Sequence, residues 1–292
     1  MTIDLGELHS FATLAEQLHF GRAAELLHIS QPALSKQIRR MEEKLGGDLL
    51  TRHNGRVALT AAGKVLEERA RQMLRESENT EELLRLAVRG EAGLLRVGFG
   101  IASLASGLPA LLVRFRGRYP HVHIAMRDMA TCDQIEALAR GEIDVGFVRL
   151  PVTRTGLGSL PVLHERLVAA VAPPARYNPA KGLASLRGQP FVVISRATSN
   201  SFHDHVLATC RVAGFTPRIV QEANELFTVL NLVRAGIGVS LVPSSARLMH
   251  VPQVKLVETR VREAAWTIGL AWNSEHKPSG LVRKFIEMAV DW

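Results

Sequence analysis

The chain has 292 residues, of which 47% are apolar and 22% charged, with 36 Lys+Arg against 28 Asp+Glu. At roughly 150 residues per domain that predicts about two folded domains with a sizeable core, and it excludes disordered, collagen-like and fibrous chains. Two cysteines, Cys132 and Cys210, are too few for a disulfide scaffold or a zinc ribbon, which suits a reducing, cytoplasmic setting.

The first ten residues lack the basic and apolar regions of a signal peptide. The greasiest stretch, 229–243, is broken by Asn231 and Arg234, so no membrane span is expected. Charge is unevenly spread: residues 1–60 carry 7 Lys+Arg and 7 Asp+Glu, residues 61–92 carry 6 and 7, and residues 93–292 carry 23 and 14. The basic excess therefore belongs to the C-terminal part, where it suits a small anion. Any DNA reading must rest on a local arrangement nearer the N-terminus.

In chain order, apolar residues recur at Leu8, Phe11, Leu14 and Leu18, the spacing of an amphipathic helix over 5–18. A short second helix over 20–27 turns Ala23, Ala24 and Leu27 inward and breaks at His28-Ile29-Ser30. Ser30 suits an N-cap and Pro32 the first turn of a third helix reaching about Leu45. Leu34, Ile38, Met41 and Leu45 form its apolar stripe. Asn54-Gly55 between two short extended segments is the hairpin signal of a wing following a helix-turn-helix. Thr60 suits the cap of a long helix over 61–88, about 40 Å at 1.5 Å per residue. Its imperfect seam of Leu66, Ala70, Met73 or Leu74, Ser77, Leu84 and Ala87 predicts packing on a partner. Gly90 and Gly93 supply a hinge.

From Leu94 the pattern alternates. Strands are predicted over 95–99, 122–127, 143–148, 166–172, 191–195, 219–222, 239–242, 254–257 and 266–272, and helices over 108–118, 132–140, 201–212, 225–235 and 280–290. Such alternation implies an α/β fold with mostly parallel sheets, long enough here for two small lobes, and ligands bound beyond the carboxyl ends of the strands.

The third helix is the candidate for reading DNA. Gln31 can pair bidentately with adenine, Lys36 and Arg39 can reach guanine or phosphate, and Ser30, Ser35 and Arg40 can bind phosphate oxygens; a merely solvated helix face is the alternative. Arg52, His53 and Arg56 on the wing can clamp the backbone or enter the minor groove, and Arg22 can contact phosphate. A near-neutral N-terminal part favours binding by a dimer or larger assembly. In the C-terminal part Ser103, Thr131, Arg149 and Ser201-Phe202 fall on strand-to-helix loops. There free amides and a bidentate arginine would hold a carboxylate, with Phe202 covering an apolar body. Ordinary helix caps and a surface arginine are the competing interpretation.

Signs of an enzyme are weak. His203-Asp204-His205 does not share a helix face, so no metal is expected. No Gly-x-Ser-x-Gly elbow exists, and Gly98-Phe99-Gly100 lacks the third glycine of a dinucleotide fingerprint, so no cofactor is expected. Cys132 is expected as a small buried apolar residue rather than a redox sensor.

Residues 18–42, with His19-Phe20-Gly21-Arg22-Ala23-Ala24 and Ser30-Gln31-Pro32-Ala33-Leu34-Ser35-Lys36, strongly resemble the DNA-binding domain of LysR-type transcriptional regulators, as does Leu59-Thr60-Ala61-Ala62-Gly63. The resemblance implies a winged helix-turn-helix in 1–60, with Pro32 among its DNA-facing residues. It implies a dimerising linker in 61–93 and a two-lobed α/β effector domain like periplasmic binding proteins in 94–292. Lobe I would be 94–164 with 267–292, and lobe II 165–266. The partners so implied are double-stranded DNA with an interrupted palindromic operator, a small effector and further copies of the chain in a homodimer or homotetramer. Ala102 falls where some relatives have Ser, with Ser103 beside it. Val145-Gly146-Phe147-Val148-Arg149-Leu150 and Gln221-Glu222-Ala223-Asn224-Glu225 leading to Leu241-Val242-Pro243-Ser244 look most like regulators of aromatic-compound degradation, which points to an aromatic or dicarboxylic acid. The competing function is a two-lobed small-molecule-binding protein or enzyme with a vestigial DNA-binding domain.

Overall fold

The computed structural model describes residues 3–53, 56–104 and 107–290, without the side chains of residues 52, 53, 56 and 101. It divides into two compact units, Met1–Arg85 and Leu86–Trp292.

The first unit opens with three helices, α1 (Leu5–Gln17), α2 (Phe20–Leu26) and α3 (Gln31–Leu45). Each start is capped. Asp4 and Glu7 form a reciprocal capping box on α1, the His19 Nδ1 accepts from the Arg22 amide on α2, and the Ser30 hydroxyl accepts from the Ala33 amide on α3. Gly46 ends α3 at φ +70°, a backbone conformation that costs a glycine nothing. Phe11, Leu14, Phe20, Leu34, Ile38 and Met41 build the core, and a half-buried Lys44–Glu7 ion pair at 2.6 Å ties α3 to α1.

Strands β1 (Leu50–His53) and β2 (Arg56–Leu59) pair antiparallel as the predicted wing, with Leu50 opposite Leu59; its Asn54-Gly55 turn lies outside the described residues. The Glu42 carboxylate accepts from the amides of Leu49 and Leu50 and so fixes the base of the wing. Thr60 caps the long helix α4 (Ala61–Val88), its hydroxyl accepting from the Gly63 amide. Gly63 packs so closely on the chain that a Cβ there would overlap the Leu49 carbonyl oxygen. Along the expected α4 seam Ala70 is buried and Leu66, Leu74 and Ser77 are half-buried, whereas Met73, Leu84 and Ala87 are exposed.

The second unit contains β3 (Ala92–Phe99), the single-turn α5 (Ile101–Leu104), α6 (Leu108–Arg118), β4 (His121–Asp128), α7 (Thr131–Ala139), β5 (Val145–Arg149) and β6 (Leu157–Val171). It continues through β7 (Pro190–Ile194), α8 (Asn200–Val212), β8 (Arg218–Ala223), α9 (Leu226–Arg234), β9 (Ser240–Pro243), β10 (Lys255–Glu258), β11 (Ala265–Asn273) and α10 (Gly280–Val290). One sheet runs β10-β6-β11-β5-β3-β4 with β9 also on β6, and β7-β8 form a second. The expectation of mostly parallel sheets needs correction. β3 pairs parallel with β4 and β5, and β7 with β8, but β11 pairs antiparallel with β5 and β6, and β6 antiparallel with β9 and β10. The reason is β6, fifteen residues long and predicted only from 166, whose pairing with β11 runs through both halves of the unit.

Two cores result. Leu95, Val97, Phe115, Val145, Phe147 and Phe285 belong to the first, and Leu167, Phe191, Val192, Leu226, Leu230 and Leu241 to the second. Trp266, at the start of β11, packs against both.

Candidate DNA-binding surface and effector cavity

The apolar stripe of α3 is buried at Leu34, Ile38 and Met41, and that burial turns its opposite face outward. Gln31, Pro32, Lys36, Arg39 and Arg40 are exposed there, and Ser35 is half-buried between them. No ion pair among the described residues occupies Lys36, Arg39 or Arg40, so an amide and three cations stand together on one helix face. The Ser30 hydroxyl is engaged in capping, and the Arg22 guanidinium donates to the Gln17 carbonyl at 3.3 Å while remaining exposed. The side chains of Arg52, His53 and Arg56 lie outside the described residues.

In the second unit one cavity of about 110 Å³ brings together Ala102, Ser103, Thr131, Arg149, Ser201 and Phe202, all six effector candidates. That is several times the room one water needs. The parallel strands β3, β4 and β5 deliver the first four from their carboxyl ends, and α8 of the second core delivers the other two. Ser103 lies within α5, 1% exposed, rather than in an irregular loop. Thr131 opens α7 without capping it: its hydroxyl accepts from the Arg149 amide at 3.2 Å and so positions the end of β5.

Arg149 is the centre of the site. Its Nη1 donates to the Ser201 carbonyl at 3.1 Å, which joins the two cores, and its guanidinium carbon lies 4.9 Å from the centre of a Trp266 ring. Phe202 meets Trp266 edge-on at 6.1 Å and His205 does so at 5.3 Å, so the indole is fixed between them. Burial lowers the Arg149 pKa to about 10, and no carboxylate among the described residues offsets the effect. A cation so placed is costly until an anion joins it.

The three residues of the His203-Asp204-His205 run diverge. The His203 ring bonds the Ile194 carbonyl, Asp204 pairs with Arg196, and His205 faces Trp266. Cys132 is exposed, not buried as expected, because α7 turns it away from the packed face of Gln134, Ala137 and Leu138; burial of its neighbourhood and Asp133 push its thiol up. Cys210 is the buried cysteine, pushed up to about 12.

Residues 5–64 match the family model for bacterial regulatory helix-turn-helix proteins of the lysR family, and residues 89–292 match the LysR substrate binding domain. The chain belongs to the LysR family. As a LysR regulator it combines a DNA-binding domain with an effector-binding domain, and no described helix is long and apolar enough to cross a membrane. It is 37% identical over 288 residues to the HTH-type transcriptional regulator YnfL of Escherichia coli (strain K12), covering 98% of this chain and 97% of the relative. It is 35% identical over 257 residues to the transcriptional regulator CatR of Pseudomonas putida, covering 87% and 88%. The fold matches full-length CbnR in complex with its target DNA, with a TM-score of 0.76, 28% identity and 99% of each chain covered.

Among the residues of this LysR cavity that sequence reasoning does not single out are Asp128, Trp266 and Asn224. Asp128 was one position beyond a predicted strand, although the carboxyl end of that strand was the signal for it. The sequence places Trp266 at a strand start and Asn224, which accepts from the Thr198 hydroxyl at 3.0 Å in the wall, within a motif only.

Proposed function

We propose that this LysR regulator is switched by a small carboxylate bound in the cavity at Arg149. Residues 1–60 bind the operator through the exposed face of α3, residues 61–93 join two copies, and residues 94–292 sense the effector as two lobes meeting near residues 164–165 and 266–267. The carrying observation is the half-buried Arg149 guanidinium, lowered to about 10 by desolvation and without a carboxylate partner among the described residues. An effector carboxylate restores that partner with two parallel N–H···O bonds. The wall around it is apolar and aromatic at Phe147, Phe202, Trp266 and Ile268, which suits an aromatic body. The DNA-bound form of CbnR supports operator binding as the output.

Calorimetry on Arg149→Ala tests the effector site. Losing the bidentate partner is expected to cost about 2–5 kcal/mol, roughly thirtyfold or more in affinity for an acid that binds the wild type. Equal affinity in the variant overturns the site. A salt-titrated gel shift tests the output, because a DNA reader loses affinity steeply as salt rises.

A further inference from the structure

The effector cavity has two charged ends, not one. Arg149 ends β5 and Asp128 ends β4, with β3 between them, and both line the cavity. Two strand spacings put the ends roughly 10 Å apart across the sheet. Asp128 is the carboxylate among the residues of that wall; it is exposed, and no ion pair among the described residues takes it. Desolvation and the nearby charge of Glu225 raise its pKa, and neither a cation nor a hydrogen-bond donor among the described residues counters them. Glu225 precedes α9 in the second half of the unit, exposed and outside the cavity wall, and acts on Asp128 through its charge. Between the ends lie the ring surfaces of Phe147, Phe202 and Trp266.

We propose that the effector is bipolar: an aromatic carboxylic acid whose carboxylate meets Arg149 and whose far end carries an amine or hydroxyl that donates to Asp128. The proposal rests on the cavity being the effector site. Asp128 is an exposed residue of the cavity wall, where water solvates it; an aromatic body seated on Arg149 displaces that water, and a donor or cation on the ligand replaces it with a charge-assisted hydrogen bond, one of the strong ones. A dicarboxylate instead sets a second anion against Asp128, and this like-charge clash rejects it.

The test is calorimetry on the full-length protein with benzoate, para-aminomethylbenzoate and terephthalate, in wild type, Asp128→Asn and Arg149→Ala. In wild type the amine is expected to bind about tenfold or more tighter than benzoate, and terephthalate more weakly than benzoate. Asp128→Asn is expected to erase the amine's advantage over benzoate and to admit terephthalate, both read as ratios of affinities within the variant. An amine no tighter than benzoate, or the same ranking in Asp128→Asn, overturns the bipolar effector even where Arg149→Ala abolishes benzoate binding. Failure of all three acids to bind, or equal benzoate affinity in wild type and Arg149→Ala, overturns the effector site itself.

Discussion

Gln31 shows how much one residue's place in the sequence can carry. It opens α3 immediately after the capping Ser30 and before Pro32, so its amide projects from the first turn of the exposed face. On the proposed reading that turn enters the major groove. Gln31→Ala is expected to cost about 1–3 kcal/mol on the operator and to relax base preference at one or two positions per half-site. Arg40→Ala, at a position proposed to face phosphate, is expected to weaken every sequence alike and to reduce the salt slope by about one. Gel shifts on operator and random DNA across a salt series separate the two effects, and equal losses on both DNAs for Gln31→Ala refute direct readout. The exposed face of α3 was legible because one helix's periodicity fixes which side is buried. The cavity was legible where strand ends and helix starts announce it, at Ala102, Ser103, Thr131, Arg149, Ser201 and Phe202. Trp266 and His205 escaped because they reach Arg149 across some 60 to 120 residues of intervening chain, and no local spacing records such a contact.

At the scale of elements, α4 makes the sharpest demand for a partner. The expected seam proves to have two characters. Leu66 packs on the core of its own unit and Ala70 is fully buried, whereas Met73 is 52% and Leu84 61% exposed. A charge at Leu66 would damage the fold itself, so it cannot isolate dimerisation. Met73→Asp with Leu84→Asp can, because neither side chain supports the single chain. The double variant is expected to keep its helical circular dichroism, to dissociate to monomers in light scattering, and to lose operator affinity, since symmetric half-sites need paired subunits. A variant that remains fully oligomeric refutes the α4 interface. Element positions such as α6 and α10 follow from their apolar spacing, and caps at Ser30 and Thr60 from their chemistry. Strand direction does not. The antiparallel return of β11 between β5 and β6 depends on pairing between segments about a hundred residues apart, and alternation of strands and helices alone suggests parallel neighbours.

For the whole molecule, the surroundings of Arg149 tie the proposed effector site to stability through pH. His205 lies on α8 with its ring edge on Trp266 and its Nε2 3.4 Å from the Ala264 carbonyl. Burial, then the charge of Arg149, lower its pKa from 6.5 to about 4, and the Ala264 carbonyl opposes them only in part. The unfolded chain therefore binds more protons than the folded one between about pH 6.5 and 4. The stabilising contribution of neutral His205 is complete above pH 6.5, declines as pH falls through that window, and is gone below about 4. His205→Phe, which keeps a ring against Trp266, is expected to flatten this part of the stability profile in urea unfolding. Parallel profiles for wild type and variant would show that another group governs the acid limb. Effector binding should move the same equilibrium. An acid bound at Arg149 offsets the charge that helps keep His205 neutral, so the His205 pKa rises and the complex takes up a fraction of a proton near pH 5. Calorimetry of that acid in two buffers of different ionisation enthalpy measures the uptake directly. Uptake that persists in His205→Phe would assign the proton elsewhere, and uptake lost in the variant would place His205, Trp266 and the effector carboxylate in one electrostatic unit around Arg149.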